Sequence, residues 1–487
     1  MQARLIIKDE VNVKIEGLSL GDRKALVNKF KYEIPGARYQ PSVRLGRWDG
    51  KVSFFQLSGT TYINLLPEVL AYLDREGYDI EMDDLRQYST VFEFDKITES
   101  TFAHKTWPKG HPAAGTPISI RDYQIEIVNN FLANPQSVQE VATGAGKTIM
   151  TAALSASVEH YGRSIVIVPN KDLVRQTEAD YLNLSLDVGV YFGDRKDFGK
   201  THTICTWQSL NSLMKSTQSG EAEFTIGEFI EGVVCVMVDE VHMAKADALK
   251  TLLTGVFAHV PIRWGLTGTI PKEEYAYQAI FCGLGNIVGK LAAKDLQDAG
   301  HLAQCHVNVL QLIDHVEYKD YQSELKYLVS TGARLDFLAQ KILEINETGN
   351  TLILVDRVAT GKDLVEKMGD LAVFVSGATK ATTRKEEYDS VATSSDKIIV
   401  ATYGVAAVGI NIPRIFNVVL LEPGKSFVRV IQSIGRGIRR ANDKDFVQIW
   451  DLTSSCKYAK RHLTQRKKFY ADAQYPFTIE KVDWNKE

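Results

Sequence analysis

Val141-Ala142-Thr143-Gly144-Ala145-Gly146-Lys147-Thr148 (VATGAGKT) follows the apolar run SVQEVA and opens a stretch with helical spacing. A strand that turns through glycines into a helix aims backbone N–H groups and the positive end of the helix dipole at one point. That arrangement binds phosphate. Gly144 and Gly146 supply the conformational freedom, and the loop from Thr143 through Ala145 supplies main-chain donors. Lys147 is placed to neutralise β- and γ-phosphate charge, and the Thr148 hydroxyl to ligate Mg²⁺. The strict form of the pattern has glycine at the position held here by Val141. The segment predicts a nucleoside-triphosphate site at the carboxyl end of a strand in an α/β fold.

Outward from this loop, short apolar runs alternate with helical stretches: SVQEVA, SIVIVP, HTICT, VVCVMVD and WGLTGT, then TLILV, LAVFV, KIIVA, NVVLL and FVQIW. Near-continuous apolar strands separated by helices imply parallel sheets covered on both faces. Two series imply two tandem α/β domains, at 118–300 and 301–453. VVCVMVDEVH (Val233–His242) ends in adjacent carboxylates, which a buried strand does not expose without use, because desolvating charge is costly. Asp239 suits Mg²⁺ held through water, and Glu240 suits a general base that polarises an attacking water.

The flanks differ in character. Residues 1–95 read as a small α+β domain, with a hairpin in RLIIKDEVNVKIEG, helices in DRKALVNKFKY and LLPEVLAYLDREG, and a strand in KVSFFQL. Residues 96–117 have linker composition. Residues 454–487 read as a basic helix followed by a loose end. Net charge is only −3, but residues 1–60 carry eleven Lys/Arg against six Asp/Glu, and residues 456–470 carry six Lys/Arg and no acid. Two basic segments in a near-neutral chain suggest a polyanion held at defined places. The five cysteines form no CxxC pair, so reduced thiols are expected rather than a disulfide framework or zinc site. The start is too charged for a signal peptide, and no run of apolar residues is long enough to span a membrane. A cytoplasmic location is expected, in the host cell if the chain is phage-encoded.

The ordered set of motifs resembles that of superfamily 2 DExH helicases over about residues 118–455. IRDYQ (Ile120–Gln124) resembles the adenine-reading segment, which implies ATP. There Gln124 would bond the adenine edge, and Arg121 or Tyr123 would pack on the ring. GAGKT and DEVH are similar to motifs I and II, with His242 linking to the next motif. LTGT (Leu266–Thr269) resembles motif III, whose hydroxyls at Thr267 and Thr269 would couple ATP state to domain movement. VATYGVAAVGINIP (Val400–Pro413) resembles motif V, with Gly409 at the nucleotide. Asn411 and Val408 stand there where the family usually has Asp and Arg. QSIGRGIRR resembles motif VI, which implies Gln432 at the nucleotide and Arg436 and Arg439 as arginine fingers. Spaced three apart on a predicted helix, these arginines share a face. The resemblance also implies nucleic-acid contacts at Lys171, Thr206, Arg357 and Thr402.

The stretch YQPSVRLGRWDGKVSFF (Tyr39–Phe55) resembles the signature that UvsW-like phage recombination and fork-remodelling helicases carry before the motor. Arg44, Arg47, Trp48 and Lys51 combine charge with an aromatic, as phosphate grip and base stacking require. Alternatively Trp48 belongs to the core, with Asp49–Gly50 as a turn. The resemblance implies a monomeric ATP- and Mg²⁺-dependent motor on duplex and branched DNA, without a membrane partner. RNA remains an alternative partner, since nothing in the motor motifs separates the two. The motor subunit of a restriction system and a non-hydrolysing ATP-switched clamp remain alternative functions.

Overall fold

The structure is a computed structural model. It describes the whole chain except residues 88–90, 109–112, 244–245, 392, 406–411, 413, 427–429, 431–432, 436, 439–442 and 486–487, together with the side chains of 243, 246, 381 and 385. Two compact units are present, Met1–Val141 with Gly146–Lys290, and Ala142–Ala145 with Leu291–Glu487.

In the first unit the described strands of the motor sheet run in the order Arg195–Asp197, Val188–Phe192, His202–Thr206, Arg163–Val168, Val233–Asp239, Ile262–Thr267, Gln136–Val141, Asn286–Leu291. The five interior pairings from Val188–Phe192 through Gln136–Val141, which carry the sites below, are all parallel. Val233 through Val238 are all buried, which is why this strand reads as unbroken hydrophobicity rather than alternation. In the second unit the order is Ala372–Val375, Ile398–Thr402, Thr351–Val355, Asn417–Leu421, Phe446–Ser454, Gln304–Leu312, Phe477–Val482. Each sheet has the RecA-like character expected, and the fold is α/β: two parallel-sheet motor domains preceded by a small α+β domain.

That small domain has a four-stranded sheet in the order Thr60–Tyr62, Asn12–Glu16, Gln2–Ile7, Asp79–Asp84, and a separate pair, Lys31–Glu33 with Lys51–Ser53. Gln2–Ile7 and Asn12–Glu16 form the expected antiparallel hairpin. The alternating burial of Asn12–Glu16 follows from having one covered face. KVSFFQL is a strand only as far as Ser53, after which Phe54 and Phe55 turn inward and are fully buried. The core of this domain continues into the helix Glu274–Leu284 through Tyr275, Ala279 and Cys282. Lys250 lies 4.2 Å over the Phe54 ring and also faces the rings of Tyr62 and Tyr275. Asn12 and Asn64 donate to the carbonyls of Thr254 and Phe281 at 2.8 Å. The small domain is therefore seated on the first motor domain by shared hydrophobic core and by directed hydrogen bonds.

One expectation is corrected. The end of the chain is not loose: Phe477–Val482 pairs in parallel with Gln304–Leu312 and forms an edge of the second sheet, and the Trp484 indole N–H donates to Asp314 at 2.8 Å. The basic helix is present as Lys457–Asp472. All five thiols are buried, and burial raises each of them. Among the described residues no helix is long and apolar enough to cross a membrane.

Candidate functional site

Three neighbouring strands of the first sheet build the site. Val233–Asp239 pairs with Ile262–Thr267 in a register that sets Asp239 opposite Leu266, and Ile262–Thr267 pairs with Gln136–Val141 so that Thr267 faces Glu140. The DEVH, LTGT and GAGKT segments thus leave the sheet side by side at its carboxyl edge, about 4.8 Å per strand apart. That edge is where open α/β sheets bind ligands.

The phosphate loop joins Gln136–Val141 to the helix Lys147–Val158. Gly144 and Gly146 have φ of +91° and +82°, left-handed values that a side chain strains. A Cβ on Gly146 would in addition fall 2.6 Å from the Gln124 amide nitrogen. Gln124 is buried, and its Oε1 accepts the Arg121 backbone N–H at 3.0 Å. Its carboxamide therefore caps its own helix and lies against the phosphate loop. Arg121 donates to the Tyr123 hydroxyl at 3.0 Å, which braces the side chain proposed to meet the base.

Lys147 and Glu240 form an ion pair at 2.8 Å, with side chains only 8% and 11% exposed. Glu240 has φ of +52°, a strained value for a non-glycine residue that costs about 1–3 kcal/mol and turns its carboxylate back toward Lys147. The other carboxylate oxygen accepts the Gly268 N–H at 3.3 Å and lies 3.5 Å from His242 Nδ1. Burial opposes ionisation of Glu240. The Lys147 and His242 charges and the two hydrogen bonds outweigh it, and hold the carboxyl at about 2. The general-base candidate is thus fully ionised, but neutralised by the lysine.

His242 Nδ1 is 2.5 Å from the Thr267 hydroxyl, which itself donates to the Thr269 carbonyl at 2.7 Å. A hydroxyl has one proton, so His242 is the donor in the first bond and Nδ1 carries hydrogen. Motifs II and III are thereby physically joined. The Thr269 hydroxyl is buried and has no hydrogen-bond partner among the described residues. Asp239 accepts the Glu240 N–H at 2.9 Å, and Asp239 and Thr148 are both half-buried. Two such oxygens match Mg²⁺, which keeps several waters and takes one or two protein ligands beside substrate phosphates.

Lys171 is exposed at the first position of the helix Lys171–Asn183, after the strand Arg163–Val168. Thr206 ends the adjacent strand, opposite Val168. Thr206 is buried, and its hydroxyl caps the following helix by accepting from Ser209 N–H at 3.2 Å. In the second unit, Arg357 follows Thr351–Val355, and Thr402 ends the neighbouring Ile398–Thr402. Both are partly exposed. Gly409, Asn411, Val408, Gln432, Arg436 and Arg439 lie outside the described residues. In the N-terminal domain Arg44, Arg47 and Lys51 are exposed. Trp48 is half-buried, with its indole N–H donated to the Lys51 carbonyl at 2.9 Å. Sequence reasoning did not anticipate the Gly268 N–H on Glu240, nor Lys250 in its aromatic setting. Glycine in LTGT was the signal available for the first, and nothing local signals the second.

Comparison with known proteins agrees with this geometry. Residues 117–272 match the family described as type III restriction enzyme, res subunit, and residues 333–441 match the helicase conserved C-terminal domain. The ATP-dependent DNA helicase uvsW of Enterobacteria phage T4 is 23% identical over 461 residues, covering 90% of this chain and 88% of that protein. The DNA 3'-5' helicase XPB of Kineococcus radiotolerans is 23% identical over 377 residues, covering 75% of this chain and 65% of that protein. A fragment of an HsdR-type subunit of a type I restriction enzyme from Vibrio vulnificus shares the fold. Its TM-score is 0.57 at 15% identity, over 97% of this chain and 85% of that one. A phosphate loop, a DExH box joined to motif III, and both motor-domain families in order leave one assignment: the chain is a superfamily 2 helicase, an ATP-hydrolysing nucleic-acid motor.

Proposed function

We propose that this chain is an ATP- and Mg²⁺-driven DNA translocase that remodels branched DNA by branch migration and fork regression, in the recombination, repair and replication of a phage. One observation carries the branched-DNA reading. The N-terminal domain, with Arg44, Arg47 and Lys51 exposed, shares a core with the first motor domain. A DNA arm gripped there is held fixed relative to that motor domain while the motor draws on another arm. The DNA preference rests on the named activities of the phage T4 and Kineococcus relatives and on the basic N-terminal stretch.

For the chemistry, Lys147 exchanges its Glu240 partner for the phosphates of ATP. That exchange releases an ionised Glu240, still held by the Gly268 N–H, to take the proton of the attacking water. Thr148 and Asp239 would hold Mg²⁺, which when bound neutralises phosphate charge. His242 and Thr267 carry the change toward motif III. Arg436 and Arg439 are proposed as arginine fingers, with Gln432 and Gly409 beside the nucleotide. Lys171, Thr206, Arg357 and Thr402 are proposed to face the DNA, Thr206 through the backbone at the helix start that its hydroxyl caps.

The test compares a mobile four-way junction, a plain forked duplex and an RNA duplex, each with ATP. Junction processing is expected. Arg44→Ala with Arg47→Ala should weaken junction binding and reduce its salt slope by about two units, one per phosphate contact. An enzyme that opens long plain duplexes but leaves junctions untouched, or one that prefers RNA, refutes the remodelling function.

A further inference from the structure

The helix Lys457–Asp472 has two unlike faces. Ala459, Leu463, Arg466 and Tyr470 are buried, while Lys457, Lys460, Arg461, Lys467 and Lys468 are exposed. At about 100° per residue these five cations fall within an arc of roughly 120°, along about 16 Å of helix. Among the described residues none of the five has an ion-pair partner, and no acid occurs before Asp472.

The helix is rigidly mounted. Arg466 donates to both oxygens of Asp451 at 2.8 Å and to the Gly424 carbonyl at 2.7 Å, and the Tyr470 hydroxyl bonds Asp451 at 2.7 Å. The buried Glu324 carboxylate accepts the backbone N–H groups of Tyr458 and Ala459 at 2.7–3.0 Å. Those amides are used, so any anion here is held by side chains. Three of the cations, Lys457, Lys460 and Arg461, sit in the first turns of the helix, where the dipole disfavours positive charge by about 0.3–1 kcal/mol each. Folding does not ask for that placement. The same three line an open groove of about 720 Å³ beside His315 and Glu317.

The helix begins just past Ser454, at the carboxyl edge of the second sheet that also carries Thr402 and Arg357. Ile398–Thr402 is three strands from Phe446–Ser454, or about 14 Å. No aromatic side chain on the helix is fully exposed, since Tyr458 and Phe469 are half-buried. The face therefore offers charge without a stacking platform, which fits a duplex, whose bases are already stacked, better than a single strand.

We infer that the exposed face of Lys457–Asp472 is a further nucleic-acid-binding surface that grips the phosphodiester backbone of a DNA duplex and extends the Arg357–Thr402 edge. This rests on the DNA-translocase function proposed above. The test uses the full chain with a short labelled DNA duplex, with anisotropy read across a KCl series. Lys457→Gln with Lys460→Gln and Arg461→Gln should flatten the slope of log K against log salt by about 2–3 units, and Lys467→Gln with Lys468→Gln by about 2. Melting temperatures should not fall below that of the wild type, since neutralising the cations at the helix start relieves their unfavourable dipole interaction. Lys326→Gln with Lys341→Gln, on two other helices of the same domain, should leave the slope unchanged. Wild-type slopes in both helix variants, or an equal loss in the control, would overturn the inference while leaving DNA translocation intact. A wild-type chain that binds duplex DNA without salt dependence overturns both.

Discussion

Glu240→Gln separates the two roles assigned to that carboxylate, partner of Lys147 and base for water. The pair is 2.8 Å long and nearly excluded from solvent, and the Glu240 carboxyl is held at about 2 against an ordinary 4.5. At 1.36 kcal/mol per unit, this favours the charged form by on the order of 3 kcal/mol, the scale at which breaking a buried pair costs about 3–5 kcal/mol. The folded-state value is depressed, so this stability is present above about pH 4.5 and is lost as pH falls toward 2. The nucleotide-free variant should lose roughly 3 kcal/mol in chemical denaturation at neutral pH, and its stability should vary less with pH below 4.5. Gln can still accept the Gly268 N–H, so the local backbone is kept. Lys147 no longer has to leave a carboxylate, so ATP should bind more tightly, by up to about 100-fold if the whole pair energy were recovered. Turnover should nonetheless fall about 10²–10⁴-fold, the usual contribution of a positioned base. Equilibrium ATP binding and steady-state hydrolysis measured on the same preparation decide the matter. Near-normal turnover would remove Glu240 as the base, and weaker ATP binding would show that the pair does not compete with phosphate.

Gly146→Ala forces a side chain into φ +82° and against Gln124. The strain of about 1–3 kcal/mol should lower ATP affinity roughly 10-fold by titration. Lys250→Ala removes the cation and its stem from the Phe54, Tyr62 and Tyr275 rings, and should destabilise the first unit by about 2 kcal/mol in denaturant. A wild-type denaturation midpoint would show that the N-terminal domain is seated by other contacts. Arg436→Ala and Arg439→Ala should bind ATP but hydrolyse it at least about 10²-fold more slowly in single turnover, and normal rates would exclude both as fingers.

The sequence by itself determined whatever is encoded over a few consecutive residues. The glycine turn at 144–146, the carboxylates that end an apolar strand, and the β-rich runs from SVQEVA to FVQIW are local signals. Period and turn chemistry within a short window decide them, and the motif order was legible because it is linear. Tertiary structure alone decided which of these residues meet. Lys147 and Glu240 follow the strands Gln136–Val141 and Val233–Asp239, which a third separates, and only the register of that third strand sets Thr267 under His242 and the Gly268 N–H on Glu240. Gln304–Leu312 fell at a domain boundary in the sequence, and Phe477–Val482 read as a loose end. Gln304–Leu312 is a strand because it pairs with Phe446–Ser454 on one side and Phe477–Val482 on the other, and Phe477–Val482 because it pairs with Gln304–Leu312. Lys250 is set among three rings by a fold that brings Phe54 and Tyr62 to it from another domain. In every such case the partner is remote along the chain, so no local propensity records it. The energy comes from burial and charge pairing that exist only once the sheets have formed.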